Sequence, residues 1–185
     1  MVIYSFLISI SSVMYVVETI IPYPVPGGKW GFSNFVVLFS AVNLGVIPAI
    51  VVATLKSLLG SLFTGTLFSP AFMMGFTGVL FAAILQGILA RLFIFGYVGL
   101  SIGGMIVNNL VQLLIGSFLI KSSAIYAFLP VMMFLGTISA IANAYLAKKM
   151  EDVMNENSVS FWIPKKEKTN KTSWSSVSNR NTKNR

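Results

Sequence analysis

The stretch AIYAFLPVMMFLGTISAIANAYLA, residues 124–147, decides the fold class, because it contains no charged residue over its whole length. A helix needs about 20 such residues to cross a hydrocarbon layer of ~30 Å. A second stretch, FTGVLFAAILQGILA at residues 76–90, is equally apolar. Neither shows the alternating polarity of a membrane β-strand. We therefore predict an all-α integral membrane protein.

The composition of the whole chain supports this class and excludes several chemistries. Of the 185 residues, 56% are hydrophobic and 10% are charged, which is far from the composition of a soluble domain. The chain has no cysteine and no histidine, and its one aspartate is Asp152. A thiol nucleophile, an imidazole base and a carboxylate cluster for Mg²⁺ are thus missing. We predict that the protein is not an enzyme and that it uses no cofactor or metal.

Proline, glycine and charged residues divide the apolar part of the chain into six predicted transmembrane helices. Their predicted bounds are Val2–Ile21, about Phe32–Leu44, Pro48–Phe63, Pro70–Arg91, Tyr97–Ile120 and Ser123–Lys148. Ser69 and Pro70 form an N-cap followed by a proline in the first turn, and Pro130 is expected to kink the sixth helix. The second and third helices are short enough to be tilted or to enter the layer only partway.

Residues 1–150 form the predicted transmembrane domain, and residues 151–185 form a basic tail that we expect to be disordered. Of the net charge of +8, residues 148–185 carry +5. Basic residues beside a helix end favour the cytoplasmic side, so the tail and, with six helices, the N-terminus are predicted to be cytoplasmic in a cell membrane of the bacterial inner-membrane type. We predict contact with lipid and no nucleic-acid partner, because membrane topology already explains the positive charge.

Two ionisable residues lie in the predicted helices and need a reason to be there. Placing a charge at the centre of a membrane helix costs about 2.5–3.5 kcal/mol. Lys56 lies midway along the third helix with Gly60 on the same face, and Glu18 is near the end of the first. Lys56 either binds an anionic group of a solute or has a structural role, by snorkelling or by pairing with Glu18.

The first helix also carries a stripe of small residues. At about 100° per residue, Ser5, Ser9 and Ser12 fall on one side of the helix, and Ser11 and Tyr15 share the opposite side with Glu18. A small-xxx-small surface lets a second helix approach closely. The stripe predicts either a docking surface for a partner or packing within the bundle.

Amides on the fifth helix form a third polar group. Asn108, Asn109 and Gln112 lie within an arc of about 100°. Their donors cannot be satisfied by lipid, so they must face the bundle interior, as hydrogen-bonding groups for a solute or as links between helices. Asn34 on the second helix could join the same set.

The loop between the first two helices, within ETIIPYPVPGGKWGFSN at residues 18–34, is polar and rich in proline and glycine. Prolines limit its conformations, and the pair Gly27–Gly28 offers a hinge. We predict that the loop gates a site, with Lys29 supplying positive charge and with Tyr23 and Trp30 covering an apolar part of a solute.

Several motifs together resemble the Gx transporter family, whose members are often labelled heptaprenyl diphosphate synthase component I. They are the segment from Glu18 to Gly45, the segment LKSLLGSLFTGTLFSPAFMMGFTG at residues 55–78, and GGMIVNNLVQLLIG at residues 103–116. The resemblance covers about residues 5–147. Two positions depart from it: family members commonly have arginine in place of Lys56 and histidine-asparagine in place of Asn108-Asn109.

The family is similar to the substrate-binding S components of energy-coupling factor transporters. This resemblance implies a six-helix bundle with a site open to the outside, a lid formed by the first loop, and docking of a transmembrane coupling protein on the stripe at Ser5 and Ser9. It further implies ATPase subunits supplied by other chains.

We therefore predict a substrate-binding subunit for uptake of a small, anionic solute. The predicted binding residues are Glu18, Lys29, Trp30, Asn34, Lys56, Asn108, Asn109 and Gln112. Two other hypotheses stay open. The first is a non-catalytic membrane component that accompanies an isoprenoid diphosphate synthase. The second is a structural helical protein whose polar groups only join helices.

Overall fold

The fold is a bundle of six α-helices, seen in a computed structural model that describes residues 2–24 and 28–156. The helices are α1 (Val2–Ile20), α2 (Asn34–Asn43), α3 (Val46–Phe63), α4 (Pro70–Arg91), α5 (Tyr97–Ile120) and α6 (Leu129–Glu156). A 3-10 helix, Ser123–Phe128, precedes α6. Within the described ranges the chain forms no strand. The all-helical fold class is confirmed.

Five segments are long and apolar enough to cross a membrane, namely α1, α3, α4, α5 and the segment Ser123–Asn155 that contains α6. Large apolar side chains such as Phe81, Phe118 and Phe134 project from the outside of the bundle. Such a surface suits lipid and would be a costly patch in water. The chain is therefore a multi-pass membrane protein, and the predicted count of six spans and the orientation of the termini stay predictions.

The helix α2 is the exception, because it is short and lies at the centre of the bundle. At ~1.5 Å per residue its ten residues are about 15 Å long, half of a hydrocarbon layer. It packs against α3, α4 and α6, and Val36, Val37, Leu38 and Phe39 are almost wholly buried. The five longer helices surround it. Among them, α1 packs mainly on α3, and α4 packs on α5.

Local chemistry explains several of the helix ends. The Ser69 hydroxyl accepts a hydrogen bond from the Phe72 amide at 3.1 Å, which is the predicted N-cap before Pro70. Gly45 links α2 to α3 with φ of 103°, a conformation that favours glycine. Its amide donates to the Ser40 carbonyl at 2.9 Å and so closes the end of α2.

Two details of the sixth helix differ from expectation. Pro130 was predicted to kink the helix from inside, but it is the second residue of α6, where its missing amide hydrogen is not needed. A 3-10 helix, Ser123–Phe128, directly precedes α6. At the other end α6 continues to Glu156, past the predicted boundary of the tail at residue 151. The rest of the predicted tail, residues 157–185, lies outside the described residues.

Glycines allow α4, α5 and α6 to approach closely enough for amide side chains to lie between them. A Cβ added to Gly78 would lie 2.8 Å from the Asn108 backbone oxygen, and one added to Gly136 would lie 2.9 Å from Asn109 Nδ2. Gly104 faces Gln86 in the same manner. The amides of this region are therefore held in the bundle interior.

Candidate functional site

The segment between α1 and α2 turns into the bundle and ends at its centre. Asn34, the first residue of α2, accepts a short hydrogen bond from Lys56, which lies in the middle of α3. At the far end of α2, Asn43 Nδ2 donates to the Tyr97 hydroxyl at 2.9 Å. Residues 28–33 enter α2 as non-helical chain. We call residues 28–33 the re-entrant segment.

Side chains from α1 and α6 satisfy the backbone of the re-entrant segment. Asn143 Nδ2 donates to the Gly31 carbonyl at 2.9 Å, and Ser139 Oγ donates to the Trp30 carbonyl. Ser11 Oγ donates to the Ser33 carbonyl at 3.1 Å. Non-helical backbone at membrane depth is tolerated only where protein groups satisfy it. Several buried polar residues of the helices are thus explained by this segment.

Aromatic rings of the loop pack against one another around Trp30. Trp30 stands edge-to-face against Tyr23, with ring centroids 5.3 Å apart, and stacks on Phe32 at 6.1 Å. Its indole nitrogen donates to the Pro22 carbonyl at 3.2 Å. These contacts join Trp30 to other residues of the loop between α1 and α2. The predicted hinge lies partly outside the described residues, because Gly27 and the preceding Pro26 are not among them.

Ser33 joins the two charged residues that the sequence placed in helices. Its amide donates to Glu18 Oε2 at 3.1 Å, and its hydroxyl donates to Glu18 Oε1 at 3.0 Å. Lys56 Nζ donates to the same hydroxyl at 3.0 Å and also to Asn34 Oδ1. Lys56 is 1% exposed and Glu18 is 4% exposed. Opposite charges thus meet through a serine that belongs to the re-entrant segment.

Lys29 is in a different position from Lys56. Its ammonium nitrogen lies 3.7 Å from the centroid of the Tyr15 ring, a cation–π contact, and is buried without a hydrogen-bond partner. Burial lowers the pKa of Lys29 to about 8, and the nearby Glu18 carboxylate opposes this shift. Lys29 is therefore the cation of this site that has no acceptor.

The amides of α5 face the same interior. Asn109 Nδ2 donates to the Met132 carbonyl at 3.0 Å, and Asn108 Nδ2 lies 3.4 Å from Asn109 Oδ1. Asn108 Oδ1 is buried and has no hydrogen-bond partner. Gln112 is also buried, one turn further along the helix. The predicted orientation of these three amides into the bundle agrees with the structure.

Two small cavities adjoin these groups. The first has a volume of about 50 Å³ and lies between the re-entrant segment and α4, α5 and α6. The second, of about 40 Å³, lies toward α1 and α3. Lys29, Asn34 and Asn108 line both. Ligand pockets commonly measure about 300–1,000 Å³, so a larger solute requires the re-entrant segment to move.

Each of the eight predicted binding residues lines at least one of the two cavities. Trp30 and Asn109 border the first, Glu18, Lys56 and Gln112 border the second, and Lys29, Asn34 and Asn108 border both. They are thus close together around a shared space. Their role in binding a solute stays a prediction.

Sequence reasoning missed other polar residues of the site. Ser139 and Asn143 of α6, Gln86 of α4 and Ser101 of α5 all line the first cavity. Gln86 and Asn143 lie in apolar helices, so the rule that singled out the amides of α5 could have found them. The hydrogen bonds from α6 to Trp30 and Gly31 could not have been foreseen, since they join residues more than 100 positions apart.

The predicted serine stripe is only partly on the surface. Ser5 and Ser9 are exposed, and Ser9 Oγ donates to the Ser5 carbonyl at 2.8 Å. Ser12 is 6% exposed and cannot contact a partner. Ser12 lies on the same side of the α1 axis as Ser5. Its burial differs because other elements pack against α1 at one height and not at another. Ser12 is therefore not part of the exposed stripe, and docking on Ser5 and Ser9 stays a prediction.

Among the described residues, no group of three or more histidine, cysteine, aspartate or glutamate side chains comes together.

A family model described as heptaprenyl diphosphate synthase component I matches residues 7–150. This match confirms the family resemblance drawn from the sequence motifs. No curated protein and no solved structure matched the chain.

Proposed function

The chain belongs to the heptaprenyl diphosphate synthase component I family, and on that basis we propose that it is a substrate-binding subunit for membrane uptake of a small anionic solute. The observation that carries the proposal is the buried ammonium group of Lys29. Lys29 lines both cavities, and its ammonium nitrogen has no hydrogen-bond partner. A buried cation without an acceptor is costly, and an anionic ligand would remove that cost.

The re-entrant segment is the proposed gate. It fills the bundle beside the cavities, and its contacts with α6 are a few hydrogen bonds rather than a continuous helix. Such a segment can withdraw without unfolding a helix, which is the usual way a lid admits a ligand. Entry from the outside of the cell follows from the predicted orientation.

Energy for uptake would come from other chains. We propose that a transmembrane coupling protein docks on α1 and that ATPase subunits drive it, and that this chain itself catalyses no reaction. Ser5 and Ser9 leave a shallow exposed strip on α1, which suits close approach of a second helix.

Solute binding is tested by thermal unfolding of the purified protein with a panel of small anions. We expect at least one anion to raise the melting temperature of the wild type, and no such rise in Lys29→Met. Bound ligand stabilises by about 2.7 kcal/mol at a hundredfold excess over Kd. If no anion of a broad panel stabilises the wild type, the proposal fails.

Affinity for that anion should also depend on pH. With the pKa of Lys29 at about 8, the side chain carries its proton below that pH and loses it above. The anion binds the protonated form, so affinity should be constant below pH ~8 and fall about tenfold per pH unit above it. Isothermal calorimetry of the wild type measures this dependence, and Lys29→Met should lack it. A flat profile in the wild type would exclude Lys29 as the anion-binding group.

Docking is tested by co-purification with the coupling protein and ATPases of the same cell. The double variant Ser5→Leu/Ser9→Leu should lose these partners while keeping its melting temperature, because leucine blocks close helix approach but is tolerated by lipid. Val17→Phe, which adds bulk at another exposed position of α1, is the matched control. Loss of partners in both variants, or in neither, would contradict docking on the serines.

The family description supports a second candidate function. Its words name a component of a synthase, so the chain could be a non-catalytic membrane partner of an isoprenoid diphosphate synthase. Under this alternative the protein co-purifies with a soluble synthase and confers no solute uptake. Uptake into cells that express the chain together with its ATPases separates the two functions.

A further inference from the structure

Three buried polar atoms without a hydrogen-bond partner belong to residues that line the same cavity. They are Lys29 Nζ, Asn108 Oδ1 and Asn143 Oδ1, and the cavity is the first, of about 50 Å³. Asn143 is 5% exposed, so bulk solvent does not reach it freely. Buried polar atoms are nearly always paired, and each one left alone needs an explanation. Hydrogen bonds to a bound molecule would pair all three.

Neighbouring groups fix which atom of each asparagine is the acceptor. The Gly31 carbonyl takes a hydrogen bond from Asn143 Nδ2, so the Asn143 oxygen must point elsewhere. The Met132 carbonyl fixes Asn109 in the same way, and Asn109 Oδ1 then faces Asn108 Nδ2. The unpaired atoms of Asn108 and Asn143 are therefore carbonyl oxygens, which accept hydrogen bonds and cannot donate them.

The site thus offers one cation, Lys29, and two hydrogen-bond acceptors, the side-chain oxygens of Asn108 and Asn143. An anion without a hydrogen-bond donor can pair only with Lys29. A bare carboxylate brought to Lys29 would leave both amide oxygens unpaired. We propose, building on the anion-binding function above, that the solute is a small carboxylate that also carries an amino or hydroxyl group. Its carboxylate pairs with Lys29. An amino group has enough hydrogens to donate to both Asn108 and Asn143, whereas a hydroxyl group has one hydrogen and donates to one of them.

The size of the cavity restricts the solute further. A space of about 50 Å³ holds a few non-hydrogen atoms, because one water needs about 10–15 Å³ on this scale. A small amino acid or hydroxy acid is of this order, whereas a prenyl diphosphate is not. Trp30 and Tyr23 border the cavity and limit how far the solute can extend toward the re-entrant segment.

The test compares three probes of one shape, namely glycine, glycolate and propionate, which differ only in the group at the end opposite the carboxylate. Binding of each to the full-length protein in nanodiscs is measured by calorimetry, with propylamine as a probe that lacks the carboxylate. We expect glycine or glycolate to bind at least about tenfold more tightly than propionate, since an acceptor that stays unpaired in a binding site is penalised. Propylamine should not bind.

Variants locate the effect. In Asn108→Ala the preference over propionate should shrink severalfold, and in Lys29→Met all carboxylates should bind weakly. Ser12→Ala is the matched control, because Ser12 Oγ is also buried and unpaired but lines neither cavity. Its binding of all probes should equal that of the wild type.

The outcomes separate this inference from the function on which it rests. Equal binding of propionate and glycine would overturn the inference and leave anion binding standing, with water as the partner of the amides. Absence of binding by every probe would overturn the inference as well, and the broad anion panel then decides on the proposed function. An unchanged preference in Asn108→Ala would also count against it.

Discussion

Replacing Lys56 with methionine is expected to lower the free energy of unfolding by about 3–5 kcal/mol. The ammonium group of Lys56 is the positive partner of Glu18, reached through the Ser33 hydroxyl, and both charged residues are almost wholly buried. Methionine fills a similar volume but removes the positive charge closest to the network, so the Glu18 carboxylate keeps only the two Ser33 hydrogen bonds and the charge of Lys29. Equilibrium unfolding of the purified protein in mixed detergent micelles measures the change.

A double variant separates two contributions to the free energy of unfolding: the cost of burying an unpaired charge, and the net stabilisation by the Glu18–Ser33–Lys56 network. Glu18→Gln/Lys56→Met removes both charges and should recover much of the loss, because two charges no longer need to be buried. Lys29→Met is the comparison variant, since Lys29 donates no hydrogen bond to the network and its cation–π contact is worth about 0.5–2 kcal/mol. If Lys56→Met is no more destabilising than Lys29→Met, the network does not hold the re-entrant segment in place.

This expectation gives the two lysines different roles. Lys56 is bonded to Ser33 and Asn34 and so holds the start of α2 and the re-entrant segment at the centre of the bundle. Lys29 has no such partner and is available to a ligand. We therefore expect Lys56 to act on binding mainly through the position of Asn34, and Lys29 to act on it directly.

Replacing Gly78 with alanine is expected to destabilise the protein by about 1–3 kcal/mol, the usual cost of overpacking. The new Cβ would lie 2.8 Å from the Asn108 backbone oxygen, and this carbonyl cannot move unless α5 moves with it. The change should therefore separate α4 from α5 and also disturb the position of the Asn108 amide. Unfolding in mixed micelles and glycine binding by calorimetry are the two measurements.

Gly75 on the same helix is the control for this prediction. A Cβ there meets nothing within 4 Å. Gly75→Ala should therefore raise the free energy of unfolding by about 0.5–1 kcal/mol through helix propensity. Equal effects of the two substitutions would show that helix propensity, and not the approach of α5, decides the outcome.

The sequence determined the membrane class and most of the helix limits. Pro70 after Ser69 defines the start of α4, and the uninterrupted apolar runs define the lengths of α4 and α5. These features depend on hydrophobicity and on backbone preferences within a few residues. The amides of α5 could be assigned to the interior for the same reason, because lipid cannot satisfy them.

Only the tertiary structure decided where the chain between α1 and α2 lies and what its polar neighbours do. Ser139 and Asn143 bond to the carbonyls of Trp30 and Gly31 across more than 100 residues of sequence, and no local pattern encodes such a pairing. The same holds for Ser12, which burial removes from the serine stripe. Helix formation is governed by neighbours along the chain, whereas the partner of a buried polar group is chosen by the packing of all helices together, which is why Lys56 is paired and Lys29 is not.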